Sequence, residues 1–144
     1  MRIFFVAVLF SSLHTQDNSS LWGSITSLLS PTGIQVSDEG IIYASTSGGL
    51  LQFNPSTETF NFIKIEQGLK YLDLSTIEID SHGRLWLGSA SPRGCLQVYD
   101  PSIGLKYYQE WLNSNGDYQV VSINKIQIAE NVAFSVYQEI KDID

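Results

Sequence analysis

Two stretches of this chain are copies of one pattern, and that constrains the fold more than any other feature. The first runs Ile34-Gln35-Val36-Ser37-Asp38-Glu39-Gly40-Ile41-Ile42-Tyr43-Ala44-Ser45-Thr46, then Gly49-Leu50-Leu51-Gln52-Phe53-Asn54-Pro55-Ser56. The second runs Ile77-Glu78-Ile79-Asp80-Ser81-His82-Gly83-Arg84-Leu85-Trp86-Leu87-Gly88-Ser89, then Gly94-Cys95-Leu96-Gln97-Val98-Tyr99-Asp100-Pro101-Ser102. Gly40 meets Gly83 and Tyr43 meets Trp86 at an offset of 43, Gly49 meets Gly94 at 45, and Pro55 meets Pro101 at 46. The drift enters around Pro92-Arg93 and near Tyr99. A unit that repeats at such spacing buries its apolar face against its neighbours.

Each part of the unit has a local physical reason. Ile34/Val36 and Ile77/Ile79 alternate with other residues, the period of a strand. Ser37–Gly40 and Asp80–Gly83 read as type I turns, with Ser or Asp first and Gly fourth. The second strand is expected over Ile41 to Ser45 and Arg84 to Ser89, which are β-branched and aromatic. The third is expected over Leu50 to Phe53 and Cys95 to Tyr99, stopped by Asn54-Pro55 and Asp100-Pro101. The fourth is expected over Thr59 to Ile65 and Leu105 to Gln109. A third copy begins near Val120, with Ile126-Gln127-Ile128, a turn at Ala129-Glu130-Asn131 and a strand from Val132 to Tyr137. Leu21 to Ser27 suits a lead-in strand that packs on the first unit or closes a ring. No segment has a useful helical period, and Lys106 to Leu112 reads as strand followed by a turn at Asn113–Gly116. The expectation is an all-β fold of about ten short strands. A period in the low forties is that of a four-stranded, antiparallel propeller blade. Boundaries follow as a lead-in strand at 17–30, blade 1 at 31–69, blade 2 at 70–112 and an incomplete blade 3 at 118–144.

Met1-Arg2 precedes the apolar run Ile3 to Phe10, and small polar residues follow from Ser11 to Gln16. That is the layout of a secretory signal peptide, expected over 1–16 with cleavage between Ser12 and Gln16. The same residues also suit a buried first strand. The run is too short to span a bilayer, which takes about 20 apolar residues. No transmembrane span is expected elsewhere. Eight basic residues against 15 acidic ones give a net charge of −7, and the scattered Lys and Arg exclude a nucleic-acid partner. With 43% hydrophobic and 16% charged residues the chain is apolar enough to fold. A single cysteine, Cys95, excludes an intrachain disulfide and a cysteine-based zinc site.

The search for chemistry returns little. Asp80 and His82 form the one pairing that suits a metal or an acid/base role, but the equivalent turn holds Asp38-Glu39 without histidine, so His82 reads as an exposed turn residue. The other histidine, His14, lies in the signal segment. There is no Gly-x-Ser-x-Gly elbow, calcium loop or phosphate loop. Asp38-Glu39 and Asp142/Asp144 are the nearest acidic clusters and read as solvated turns. Cys95 takes the place of Leu50 and reads as a buried, inert thiol. Trp86 and Tyr43 read as packing between blades. Tyr107, Tyr108 and Trp111 read as edge-strand packing, with an exposed sugar or peptide platform as the alternative. Asn18-Ser19-Ser20 is a glycosylation sequon beside the cleavage region. No catalytic residue, cofactor or metal is therefore expected.

At Asp80 to Ser89 and again at Gly94 to Pro101 the chain resembles the two-component regulator propeller repeat, whose pattern reads Asp-x-x-Gly-x-Leu-Trp-hydrophobic-Gly-Thr, then Gly-Leu and Phe/Tyr-Asp. Ser89 stands for Thr, Ser91-Pro92-Arg93 is inserted, and the first copy departs further at Tyr43-Ala44-Ser45. The likeness covers about 34–137. The order of Trp22, the first repeat and Gln67-Gly68-Leu69 is also similar to the N-terminal propellers of type IX secretion-associated proteins. The resemblance implies an extracytoplasmic β-propeller, without an activity. Closure takes 4–8 blades, or roughly 170–350 residues. The chain is therefore expected to be the N-terminal part of a longer protein, or else a module that closes by self-association. Three functions follow as expectations. The first is a non-catalytic module for ligand sensing or protein interaction, whose partners are an unknown protein or small-molecule ligand and the remaining blades. The second is a structural component of an outer-membrane secretion machine. The third is part of a propeller lyase or hydrolase whose catalytic groups lie in missing blades.

Overall fold

The computed structural model describes residues 30–129 and 132–139. The signal segment at 1–16, the lead-in strand at 17–30 save Ser30, and the turn residues Glu130-Asn131 lie outside them. Two four-stranded antiparallel sheets and one two-stranded sheet make up the described chain. The first sheet holds β1 (Pro31–Val36), β2 (Ile42–Thr46), β3 (Gly49–Asn54) and β4 (Thr59–Ile63), in that order. The second holds β5 (Asp73–Ile79), β6 (Leu85–Ser91), β7 (Cys95–Asp100) and β8 (Gly104–Glu110), in that order. The third pairs β9 (Val120–Ala129) with β10 (Val132–Glu139). The expected hairpins form: Val36 pairs with Ile42 and Ile34 with Ala44, while Ile79 pairs with Leu85 and Ile77 with Leu87.

The turns close as their residue types require. Gly40 N–H donates to Ser37 O and Gly83 N–H to Asp80 O, both at 2.9 Å. Both glycines sit at positive φ, 79° and 74°, where a Cβ is disfavoured. The fourth strand of the first sheet is shorter than Thr59 to Ile65. It ends at Ile63, and Ile65–Gln67 forms a 3-10 turn, the one helical element among the described residues. The cause is Gln67, whose Oε1 accepts from Lys64 N–H at 2.9 Å, with Gly68 at φ 103° terminating the turn. After β8 the chain turns as expected, with Asn113 Oδ1 accepting from Asn115 and Asp117 N–H at 2.9 and 2.8 Å.

Successive sheets lie against one another through their first strands. In β1 the register slips between Pro31 and Gly33, so Thr32 is a bulge, and in β5 it slips between Leu74 and Thr76, so Ser75 is one. A bulge re-aims a side chain out of the ladder. Thr32 Oγ1 donates to Leu74 O in the second sheet at 2.8 Å, and Ser75 Oγ donates to Ile123 O in the third at 2.5 Å. The two hydroxyls stand 43 residues apart. Gln35 Nε2 also reaches across, to Glu78 Oε2 at 2.8 Å.

Apolar packing fills the same seams. Tyr43, Leu50 and Ile63 of the first sheet share a core with Leu74, Ile77, Leu85, Leu87 and Tyr99 of the second. Val120, Ile123 and Ile126 form a second core, covered by Trp86, Leu96 and Trp111. Burying each such aliphatic side chain contributes about 1.5–3 kcal/mol. Close approach between neighbouring sheets needs a residue without a Cβ at several places, two of them within paired strands. A Cβ on Gly33 would stand 2.9 Å from Ile77 Cγ2, and one on Gly88 would stand 2.7 Å from Ile123 Cβ. Gly33 faces Ser45 across its ladder, whereas Gly88 faces Thr76.

Candidate functional site

The β1–β2 and β5–β6 turns lie side by side and enclose a cleft of about 230 Å³. Val36, Ser37, Asp38 and Glu39 line one lip, and Ile79 with Asp80 to Gly83 line the other. Asp38, Glu39 and His82, three positions singled out in the sequence, thus meet at one place.

Asp80 is the structural keystone of the second lip. Its Oδ1 accepts from His82 N–H at 2.9 Å and Arg84 N–H at 3.0 Å. Its Oδ2 accepts from Arg84 Nε at 2.6 Å and Trp86 Nε1 at 3.0 Å. The Asp80 side chain is only 6% exposed. Burial works to raise its pKa, but hydrogen bonds from Trp86, the Arg84 and His82 backbone, and the Arg84 side chain outweigh burial and hold it below the ordinary value. Both oxygens are committed to the turn and to Trp86, and the bond from His82 comes from its backbone N–H and not from its ring. The His82 ring is exposed, with Nδ1 3.4 Å from Ser81 Oγ. Ser37 takes Asp80's place in the first lip, where its Oγ accepts from Ile41 N–H at 3.2 Å. Asp38 and Glu39 are exposed beside it.

Trp86 packs on the opposite side of β6 from Leu85 and Leu87, as alternation requires. It covers the second core while half-buried, and it uses its indole N–H as well as its volume. The position therefore also answers to a polar group, beyond the packing expected of it. Tyr43, its counterpart, is buried in the first core, with its hydroxyl accepting from Gln52 Nε2 at 3.3 Å.

Cys95 is fully buried. Burial, then Glu110, pushes its thiol up to about 12, which leaves it protonated and unreactive. On β8, Trp111's neighbours differ from the packed-edge reading: Tyr107 and Tyr108 are both exposed. Consecutive strand residues point to opposite faces, so they form no common platform. Lys70 Nζ sits 4.8 Å from the Tyr108 ring, and Tyr107 OH donates to Gln109 at 2.6 Å. Asp142 and Asp144 fall outside the described residues.

Gln97 is the functional-looking polar residue that sequence reasoning passes over. It is fully buried at the centre of β7. Its Oε1 accepts from Lys70 N–H at 2.6 Å and Tyr71 N–H at 3.1 Å, and its Nε2 donates to Tyr71 O at 3.1 Å. The amide thereby fastens the crossing from the first sheet to the second. Burial, with the hydrogen bond to Glu110 next, pushes the neighbouring Tyr71 hydroxyl up to about 12.

Among the described residues, no three His, Cys, Asp or Glu side chains are placed to hold a metal. No helix among them is long and apolar enough to cross a membrane. A scan against protein-family models finds no family that matches this chain. A search of curated proteins finds no significant relative.

Proposed function

We propose that this chain is a non-catalytic, extracytoplasmic β-propeller module that binds a ligand or protein partner on its turn-bearing face, and that it is the N-terminal part of a longer protein. The observation that carries this reading is the bulge-borne hydroxyl bond that joins each sheet to the next at the same repeat position. Such a relay sets sheets side by side and gathers their turns on one face. The cleft between Asp38-Glu39 and His82 is where recognition is assigned. Two features support further sheets. Ile34 is 61% exposed although its counterpart Ile77, covered by the first sheet, is 4% exposed. In β9 the register slips between its Lys125 and Ile123 pairings, so Asn124 is the next bulge in the series after Thr32 and Ser75. Asn124 is exposed, and its Oδ1 accepts from Ser122 Oγ at 2.8 Å.

The experiment is to express the full-length gene product in its natural host, fractionate the cells, sequence the mature N-terminus and screen ligands against the purified protein by calorimetry. The expected result is export, a new N-terminus between residues 12 and 17, and binding that Asp38→Lys/Glu39→Lys removes without lowering the melting temperature. Cytoplasmic retention with an intact Met1, or turnover of the bound ligand, overturns the reading.

A further inference from the structure

The connection from β8 to β9 closes on itself. Asn113 N–H donates to Asp117 O at 2.8 Å and Gly116 N–H donates to Asn113 O at 3.0 Å, so the chain turns over Ser114 and Asn115. Gly116 sits at φ 88°, with nothing within 4 Å of where a Cβ would stand. Asn115 and Gly116 are both exposed.

An asparagine side chain can react with the backbone nitrogen that follows it, because the two close an unstrained imide ring. The reaction needs a carboxamide free to rotate and a next residue that leaves its nitrogen open to approach. Among the described residues only Asn115 meets both needs. Asn113 is pinned, with Oδ1 accepting from Asn115 and Asp117 N–H at 2.9 and 2.8 Å and Nδ2 donating to Asp117 Oδ2 at 3.2 Å. Asn54 holds Ser56 N–H at 2.9 Å and precedes Pro55, whose nitrogen carries no proton to lose. Asn61 donates to Gln52 at 3.2 Å and precedes the bulky Phe62. Asn124 accepts from Ser122 Oγ at 2.8 Å and precedes Lys125. The Asn115 carboxamide bonds to no described residue, and only its backbone N–H is held. Glycine then presents no side chain to shield the attacking nitrogen.

We propose that Asn115-Gly116 is a site of spontaneous modification, at which Asn115 loses its amide through a cyclic imide. Hydroxide takes the Gly116 amide proton, and the nitrogen attacks Asn115 Cγ. A C–N bond forms there, the Cγ–Nδ2 bond breaks, and Nδ2 takes up a proton from water and leaves as ammonia. Water then opens the imide at either carbonyl. Opening at Cγ restores the backbone with aspartate at 115, and opening at the Asn115 main-chain carbonyl gives isoaspartate, with the chain running through Cβ and Cγ. Either product adds a negative charge to a chain already at −7. Isoaspartate also lengthens the turn across which Leu112 pairs with Tyr118. The Gly116 bond to Asn113 holds the proton back, so the reaction runs through local openings of this exposed turn. The site stands apart from the cleft, which lies at the turns of β1–β2 and β5–β6.

The test is to incubate the purified chain at 37 °C and at pH 6, 7 and 8, then to map its peptides by mass spectrometry. Isoaspartate is counted by an isoaspartyl methyltransferase with a labelled methyl donor. Asn115 is expected to lose its amide faster than Asn54, Asn61, Asn113 or Asn124, and both aspartate and isoaspartate are expected at that position. The rate is expected to rise about tenfold per pH unit, as for any group that must lose a proton far below its pKa. Asn115→Gln, whose longer side chain closes the ring much more slowly, is expected to remove the methyltransferase signal from this peptide. A rate at Asn115 no faster than at the other four asparagines overturns the proposal. So does a rate indifferent to pH, or a product that is aspartate alone.

Discussion

The indole N–H of Trp86 and the carboxylate of Asp80 are joined at 3.0 Å, which ties the start of β6 to the turn that precedes it. The most specific aromatic of the repeat thus serves two ends. Its ring covers the core shared with β9, and its N–H helps hold a buried carboxylate ionised. Trp86→Ala is expected to cost about 3 kcal/mol, the low end for a large aromatic because the ring is half-buried. Trp86→Phe keeps most of the ring and loses a hydrogen bond to a charged group, about 1.5 kcal/mol. His82→Ala should stay within about 0.5 kcal/mol, since His82 serves Asp80 through its backbone. Urea denaturation of the three variants checks the ranking.

Stability should fall in acid through Asp80. Its carboxyl is below the ordinary 3.8 in the folded protein, so protons bind more tightly to the unfolded chain near that value. The contribution is present above about pH 4 and is lost as pH falls through the folded-state value. Asp100, lowered by its bonds from Ser102, changes in the same direction but is unaltered by substitution at residue 80. Asp80→Asn should therefore be less stable than the parent at pH 6, with the gap narrowing towards pH 2. Melting curves across that range decide it, and a gap that widens in acid contradicts the assignment.

Gln97→Leu keeps volume but leaves the Lys70 and Tyr71 N–H groups and the Tyr71 carbonyl without their partner. The expected loss is about 2–4 kcal/mol. Gln52→Leu, whose amide bonds only to Tyr43 and Asn61 side chains, should lose less than half as much. Paired chemical denaturation of the two variants provides the measurement.

Cys95 should not react with a thiol-specific disulfide reagent at pH 8 in the native protein and should react fully in 6 M guanidinium. Its burial and raised pKa both oppose attack. Native labelling within minutes, counted by absorbance, would show that β7 opens locally.

The hairpins were legible in the sequence because their causes are local. Ser37-to-Gly40 and Asp80-to-Gly83 contain the whole turn, and period-2 alternation then sets the register of Ile34 and Ile77. The buried thiol was legible too, since Cys95 stands where Leu50 stands in the first copy. What escaped depends on residues far apart in the chain. The partners of Gln97 lie 26 and 27 positions away, and nothing near it marks a glutamine in a strand as a clamp. The cleft joins turns 43 residues apart and exists only once two sheets are seated. The 3-10 turn at Ile65–Gln67 was hidden because its apolar first residue extends the strand pattern. The bulges at Thr32 and Ser75 were hidden because a bulge shifts the ladder without altering residue type.

The glycine clearances carry a consequence for how such a chain can vary. Compared column by column, Gly33 against Thr76 and Ser45 against Gly88 look like two mismatches. Taken as rungs, Gly33–Ser45 and Thr76–Gly88 are the same object: one bare backbone beside one small hydroxyl, with the bare side free to fall on either rail. The heritable unit is then the rung's volume, and two residues can exchange duties without the neighbouring isoleucine noticing. A repeat of this kind drifts beyond recognition by identity while its geometry stays put.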